Sequence, residues 1–133
     1  MFDLHKNVVK MKEETTLKMS EKEDEILKIL CRLGFAQPEG KVLIYLLNFG
    51  EGKSRDIERT MEMSQPEVSI AIKKIQDFLE IKKSHKKARG RPVFSYKLKK
   101  PMSKIVDEAI KIKTDNIQKN IEELKKITKE LEN

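Results

Sequence analysis

The side chains that most often carry catalysis or bind metals are few in this sequence and far apart. His5, His85 and Cys31 are the two histidines and the single cysteine, and their spacing fits no metal-ligand pattern. No Ser/His/Asp or Cys/His arrangement typical of a nucleophilic enzyme is visible. The tripeptide Gly-Lys-Ser at 52–54 resembles the end of a P-loop, but a leucine stands at position 47, where that motif needs its first glycine. We therefore predict neither an enzyme nor a bound cofactor or metal.

Positive charge is the chemistry that the sequence does concentrate. The chain of 133 residues has 29 Lys plus Arg against 22 Asp plus Glu, a formal net charge of +7. Residues 81–100 contain nine basic residues and no acidic one, whereas residues 1–80 carry a net charge of −2 and residues 101–133 are neutral. Because each neutralised phosphate releases condensed counterions, such a stretch is typical of a polyanion-binding surface. The alternative is a solvated lysine face without a partner.

Composition favours a small cytoplasmic protein. Apolar residues make up 38% of the chain but recur periodically, which favours one folded domain over a disordered chain. The longest apolar run, residues 42–47, is far too short to span a membrane. Charged residues interrupt the first ten positions, so we expect no signal peptide. One cysteine cannot form an intrachain disulfide, and we expect Cys31, among apolar neighbours, to lie in the core.

Capping signals predict the first two helices. Ser20 and Glu23 form a capping box, and the helix that follows is expected to end at Gly34. A second helix has Pro38 in its first turn and the apolar run 42–47 as its buried centre.

Two further helices are predicted before the basic stretch. A second capping box, formed by Ser64 and Glu67, starts a helix of residues 65–79. A shorter helix, residues 55–61 with Ser54 as its cap, precedes it across a three-residue turn.

After the fourth helix the pattern changes to strands. Residues 81–85 and 93–98 are short, partly alternating segments separated by a loop with Gly90 and Pro92, as in a β-hairpin with a long tip. Residues 101–133 then form one long predicted helix. This order of elements is that of a helix-turn-helix followed by a wing.

We therefore expect a mainly α fold with a small β-hairpin, a winged helix-turn-helix with a long C-terminal dimerisation helix. Residues 1–19 would be an N-terminal extension with weak helical periodicity. Residues 20–100 would be the DNA-binding domain, and residues 101–133 the dimerisation helix.

A set of residues in this predicted domain carries a family resemblance. In the hairpin, Gly90-Arg91-Pro92-Val93 is followed by Tyr96 and Leu98. The earlier part of the set consists of Leu33-Gly34-Phe35, Glu39, Tyr45-Leu46-Leu47, Gly50, Ser54, Asp56-Ile57, Val68 and Leu79. In order and spacing these residues resemble the winged-helix domain of archaeal TrmB-like and MarR-like transcriptional regulators, over about residues 26–100. The resemblance implies a winged-helix fold and DNA binding.

The periodicity of helix 65–79 predicts which of its side chains would contact DNA. At 100° per residue, one face carries the core residues Val68, Ile72, Ile75 and Leu79. The other face suits a major groove, where Ile70 would meet a thymine methyl group and the polar side chains would meet bases or phosphates. The alternative for Ile70 is packing on the wing or on a partner chain. The predicted DNA-binding residues of this recognition helix are Ser64, Gln65, Pro66, Ser69, Ile70, Lys73 and Lys74.

Hairpin residues 82–97 are predicted to bind the minor groove and the DNA backbone. Glycine lets the backbone approach closely, and flanking arginines favour the narrow, A·T-rich minor groove. An ordinary basic turn is the alternative. The predicted contacts of this wing are Lys86, Lys87, Arg89, Gly90 and Arg91.

The C-terminal helix is predicted to form a homodimer. Its apolar residues recur every seven positions, and a helix of this length exceeds what so small a domain can bury. The alternative is that the helix folds back on its own domain. The predicted dimerisation residues are Val106, Ile110, Ile117, Ile121, Leu124, Ile127 and Leu131.

The sequence thus predicts a dimeric, sequence-specific regulator of transcription. Its expected partners are double-stranded DNA and a second copy of itself, and no association with a membrane is expected. Two alternatives are an architectural protein that binds DNA with little sequence preference and a protein-interaction winged helix of the transcription machinery. The residues identify no small-molecule effector.

Overall fold

A computed structural model describes residues 19–84 and 92–133. The expected N-terminal extension therefore lies, apart from residue 19, outside the described residues. The chain divides into two compact units, the first ending at Lys100 and the second spanning Pro101–Asn133.

The first unit is mainly helical with a small antiparallel sheet. This confirms the expected fold class, mainly α with a small β-hairpin. Within its described residues the elements are α1 (Glu21–Arg32), α2 (Gln37–Phe49), β1 (Glu51–Lys53), α3 (Ser54–Thr60), α4 (Gln65–Ile75), a 3₁₀ turn (Gln76–Phe78), β2 (Leu79–Ser84) and β3 (Val93–Leu98).

Helix α1 begins and ends where the sequence predicts. The Glu23 N–H donates to Ser20 Oγ at 3.2 Å, and the Ser20 N–H donates to Glu23 Oε1 at 2.8 Å, which completes the capping box. Gly34, two residues after the last helical residue, has a φ of 106°, a conformation that glycine adopts without strain.

Helix α2 lies at the centre of the first unit. Residues 42–46 are all buried, so this helix is covered on every side along that stretch. The expectation that the whole run 42–47 is buried is wrong at Leu47, which is 40% exposed. Gly40 and Leu43 lie on the same face of α2 as Leu47 and are buried. Neighbouring elements therefore cover this face as far as Leu43 and leave Leu47 exposed.

A buried polar contact joins α1 to α2. The Asn48 side-chain amide donates to Glu23 Oε2, and both residues are buried. The other carboxylate oxygen of Glu23 accepts the capping hydrogen bond from Ser20, so each oxygen of this buried carboxylate has a donor. The contact fixes the first turn of α1 against the last turn of α2.

The sheet has the strand order β1-β3-β2, with both pairings antiparallel. Strand β1 was not predicted. It pairs with β3 at Glu51↔Lys97, Gly52↔Tyr96 and Lys53↔Ser95. A Cβ atom at Gly52 would collide with the ring of Tyr45, which stacks on Phe49 with ring centroids 4.5 Å apart. Glycine therefore lets β1 approach α2 closely.

Three further expectations are wrong. Helix α4 ends at Ile75 rather than Leu79. Leu79 is buried, as the helical periodicity predicts, but it is buried as the first residue of β2. Ser54 is the first residue of α3 rather than its cap; Lys53 is the N-cap and provides no side-chain hydrogen bond. Cys31 is exposed, because α1 turns the adjacent row of Leu27 and Leu30 inward.

The second unit is the helix α5 (Met102–Glu132), 31 residues long, as the sequence predicts. Across the described residues, no helix combines the length and the apolar character needed to cross a bilayer.

Candidate nucleic-acid interface

Helix α4 separates its residues into a buried and an exposed face. Its buried residues are Val68, Ala71, Ile72 and Ile75, which confirms the predicted core row up to the end of the helix. All seven residues predicted to contact DNA on this helix are exposed: Ser64, Gln65, Pro66, Ser69, Ile70, Lys73 and Lys74. Ile70 is 60% exposed.

The N-terminus of α4 is held by its own capping box. The Glu67 N–H donates to Ser64 Oγ at 3.2 Å, and the Ser64 N–H donates to Glu67 Oε1 at 2.9 Å. The backbone N–H of Ser64 and then its side chain, both hydrogen-bonded to the Glu67 carboxylate, together with the nearby charge of Lys41, hold the pKa of Glu67 below its usual range. Ser64 therefore serves as the N-cap of α4.

The turn between α3 and α4 is four residues long, one more than predicted, because α3 ends at Thr60. Met61 and Met63 are both buried and anchor the turn in the core. Glu62 between them has a φ of 52°, in the left-handed region. The Met63 N–H donates to the carbonyl of Glu58 at 2.9 Å, which closes the turn.

A small polar groove lies beside the exposed face of α4. It has a volume of about 110 Å³ and brings together side chains from three elements: Ser54, Glu58, Gln65, Ser69, Ile72 and Tyr96. Gln65 and Ser69 were predicted to contact DNA. Ser54, Glu58 and Tyr96 were not, since a sequence does not reveal which faces of α3 and β3 meet α4.

The β2–β3 hairpin contributes part of the predicted basic surface. Lys82, Lys83 and Lys97 are exposed on its strands. Lys99 lies just after β3, where its Nζ donates to the carbonyl of Asp77 at 3.2 Å and its N–H donates to the carbonyl of Phe78. The five predicted tip contacts lie outside the described residues: Lys86, Lys87, Arg89, Gly90 and Arg91.

Comparison with protein-family models, curated proteins and solved structures finds no match to this chain. Nor do the described residues contain a group of three or more His, Cys, Asp or Glu side chains placed to hold a metal ion.

The exposed apolar residues of α5 form a second candidate surface. Of the predicted dimerisation residues, Val106 and Ile110 are half-buried. The others are exposed: Ile117, Ile121, Leu124, Ile127 and Leu131. Ile112, which lies off this row, is also exposed and was not predicted. Soluble monomers rarely expose so long an apolar row.

Proposed function

We propose that the chain is a sequence-specific, double-stranded-DNA-binding regulator of transcription, acting in the cytoplasm as a homodimer. In this proposal α3, the turn 61–64 and α4 form a helix-turn-helix, and the β2–β3 hairpin is its wing. The resemblance to archaeal TrmB-like and MarR-like regulators in the sequence supports the same assignment.

The exposed face of α4 is the observation that carries the proposal. It places one amide, one hydroxyl, one aliphatic side chain and two ammonium groups, besides Pro66 and the capping carboxylate of Glu67, on a helix whose opposite face is fixed in the core. In a major groove, Gln65 can bond bidentately to adenine and Ile70 can contact a thymine methyl group. Lys73 and Lys74 then bind phosphates or guanine.

The mixed chemistry of this face supports a specific binder over an architectural one. A protein that contacts only the DNA backbone needs charge, since phosphate contacts carry no sequence information. An exposed isoleucine gains nothing from a phosphate. Ile70 therefore favours contact with base edges.

Specific binding is tested by selecting genomic fragments on the protein and then measuring affinity for a selected site and for random DNA by fluorescence anisotropy at one salt concentration. Ser69→Ala and Ile70→Ala are each expected to lower the discrimination between the two DNAs by about 1–3 kcal/mol. Binding to random DNA should stay unchanged. Ile29→Ala, which removes an exposed isoleucine from α1, is the matched control and should change neither affinity.

Two results would contradict the proposal. An equal loss on both DNAs would indicate an architectural protein. Failure of the wild-type chain to bind any duplex would favour the protein-interaction alternative.

The homodimer is tested on the full chain. Leu124 is 65% exposed in the middle of the apolar row of α5. Leu124→Lys places a charge in the proposed dimer contact and is expected to shift a dimer to a monomer at micromolar concentration in sedimentation equilibrium. Lys125→Ala, one position along, is the control and should leave the dimer intact. A Leu124→Lys chain that stays dimeric would place the interface elsewhere.

A further inference from the structure

One face of the β2–β3 hairpin is turned toward the helices of the first unit. Gly52 stands against the Tyr45 ring of α2 and pairs with Tyr96 of β3, so Tyr96 points to the same side. Side chains alternate along a strand, which places every second residue of β2 and β3 on this side, here called the inner face. Its members are three cross-strand pairs: Leu79 with Leu98, Ile81 with Tyr96 and Lys83 with Phe94.

The inner face is mostly apolar, but the rest of the unit covers only part of it. Leu79, at the start of β2, is buried. Further along the hairpin, Ile81 is 45% exposed and Phe94 is 41% exposed. These two residues are diagonal neighbours across the strands, a separation that an aromatic ring can bridge. Ile81 and Phe94 therefore form an exposed apolar cluster on the inner face.

This cluster continues the groove beside α4. Tyr96 lines that groove together with Gln65 and Ser69. Phe94 follows Tyr96 on the same face, about 7 Å further along the strand. A duplex in contact with Gln65 and Ser69 would therefore lie at the mouth of the groove, and the next inner-face side chains along the hairpin are those of the cluster.

The charges around the cluster fit DNA. Strands β2 and β3 carry three lysines and one glutamate, Glu80, which lies on the opposite face. Lys83 is the one charged residue that these two strands place on the inner face, and it stands directly opposite Phe94. A second copy of the chain would bring the same positive charge to the contact, so a polyanion is the better complement.

The side-chain types of the cluster also match a known way of binding DNA. Proteins that bind the minor groove frequently insert Phe or Ile side chains between base steps and place basic side chains beside them. Such a wedge partly unstacks the two base pairs and kinks the duplex. The distortion costs least at pyrimidine–purine steps, which are the most flexible.

We propose that Phe94 and Ile81 form an apolar wedge that enters the minor groove next to the α4 contact and bends the duplex there. The inference rests on the proposed function and adds to it a contact that selects deformable TA and CA/TG steps.

An introduced tryptophan tests whether the cluster enters the DNA. The chain contains no tryptophan, so a single indole reports on its own position. In the full chain, the fluorescence of Phe94→Trp is expected to be quenched saturably by a duplex selected as described above, and to become protected from acrylamide, because the indole stacks on bases. Val93→Trp is the matched control, since Val93 is also exposed and its side chain points to the opposite face. Its indole should remain accessible to acrylamide.

Removal of the ring tests the bend. Phe94→Ala is expected to weaken affinity for the selected duplex about tenfold, because the remaining exposed part of the ring is no longer buried. The slope of log affinity against log salt concentration should stay unchanged, since no phosphate contact is lost. Energy transfer between dyes on the two ends of the duplex should fall to the value of the free duplex. Val93→Ala should change none of these three quantities.

Three results would overturn the wedge while leaving DNA binding intact. An accessible Phe94→Trp indole on bound duplex would place the cluster away from the DNA, and this variant keeps an aromatic ring on the hairpin. A bend that persists in Phe94→Ala would show that the ring does not cause it. Fluorescence of Phe94→Trp that depends on protein concentration without DNA would assign the cluster to a second copy of the chain. Wild-type protein that binds no duplex would overturn the proposed function as well.

Discussion

Helices α2 and α5 use the same aliphatic residue types in opposite ways. In α2, apolar residues occupy consecutive positions and five of them in a row are buried, so the helix is the centre of its own unit. In α5, apolar residues are spaced along one row, and from Ile117 onward they are exposed. The difference teaches that apolar content alone does not indicate where stability comes from. A leucine in α2 stabilises the fold, whereas a leucine in the exposed row of α5 is available to a partner.

The largest expected difference in stability is between two leucine substitutions, one in each helix. Leu43 in α2 is fully buried, and Leu43→Ala is expected to cost about 2–5 kcal/mol of unfolding free energy, because it leaves a cavity. Leu124→Ala in α5 should cost less than about 0.5 kcal/mol at concentrations where the chain is a monomer. Urea denaturation of both variants measures the pair. Similar losses in both under those conditions would show that Leu124 is also packed within its own chain.

A smaller effect is expected where β1 approaches α2. Gly52→Ala adds a methyl group against the Tyr45 ring, which its stacking on Phe49 holds in place. Overpacking of this kind costs about 1–3 kcal/mol. The control is Glu51→Ala at the neighbouring exposed position, which should stay within about 0.5 kcal/mol of the wild type. Thermal unfolding followed by circular dichroism distinguishes the two, and a neutral Gly52→Ala would mean that the Tyr45 ring can move aside.

The smallest expected effect on the free energy of unfolding appears only at alkaline pH. Burial, and after it the negative charge of Asp56, raises the pKa of Tyr45 to about 12 from an ordinary value of 10.0. A raised pKa in the folded state means that the contribution of Tyr45 to stability is complete below pH 10 and is lost as pH rises from 10 to 12. Tyr45→Phe cannot ionise, so its unfolding free energy should fall less than that of the wild type between pH 9 and pH 11. Parallel curves for the two proteins would contradict the assignment.

Local chemistry made the starts of α1 and α4 predictable from the sequence. Both capping boxes, at Ser20 and at Ser64, depend on residues three positions apart, and both form as expected. The buried row of α4 follows from periodicity within one helix. The exposure of Ile70 follows from the same periodicity, so the candidate face of α4 was available before the fold was known.

Features that depend on distant parts of the chain were not predictable. The triplet 51–53 has no strand pattern, and it becomes β1 because β3 pairs with it. The end of α4 was misplaced because Leu79 continues the buried row of the helix, although its burial comes from β2. Glu58 and Tyr96 join the groove only through the packing of α3 and β3 beside α4.

The strand order also has a consequence for how the chain folds. Strands β2 and β3 are near neighbours in sequence and can pair as a local hairpin, whereas β1 meets β3 only after α3, α4 and β2 have intervened. Closing that longer loop costs more chain entropy, so β1 is expected to join the sheet late, after the folding transition state. Substitutions in β1 should then speed unfolding and leave the folding rate nearly unchanged. A three-residue strand would thus control the lifetime of the native state without directing its formation.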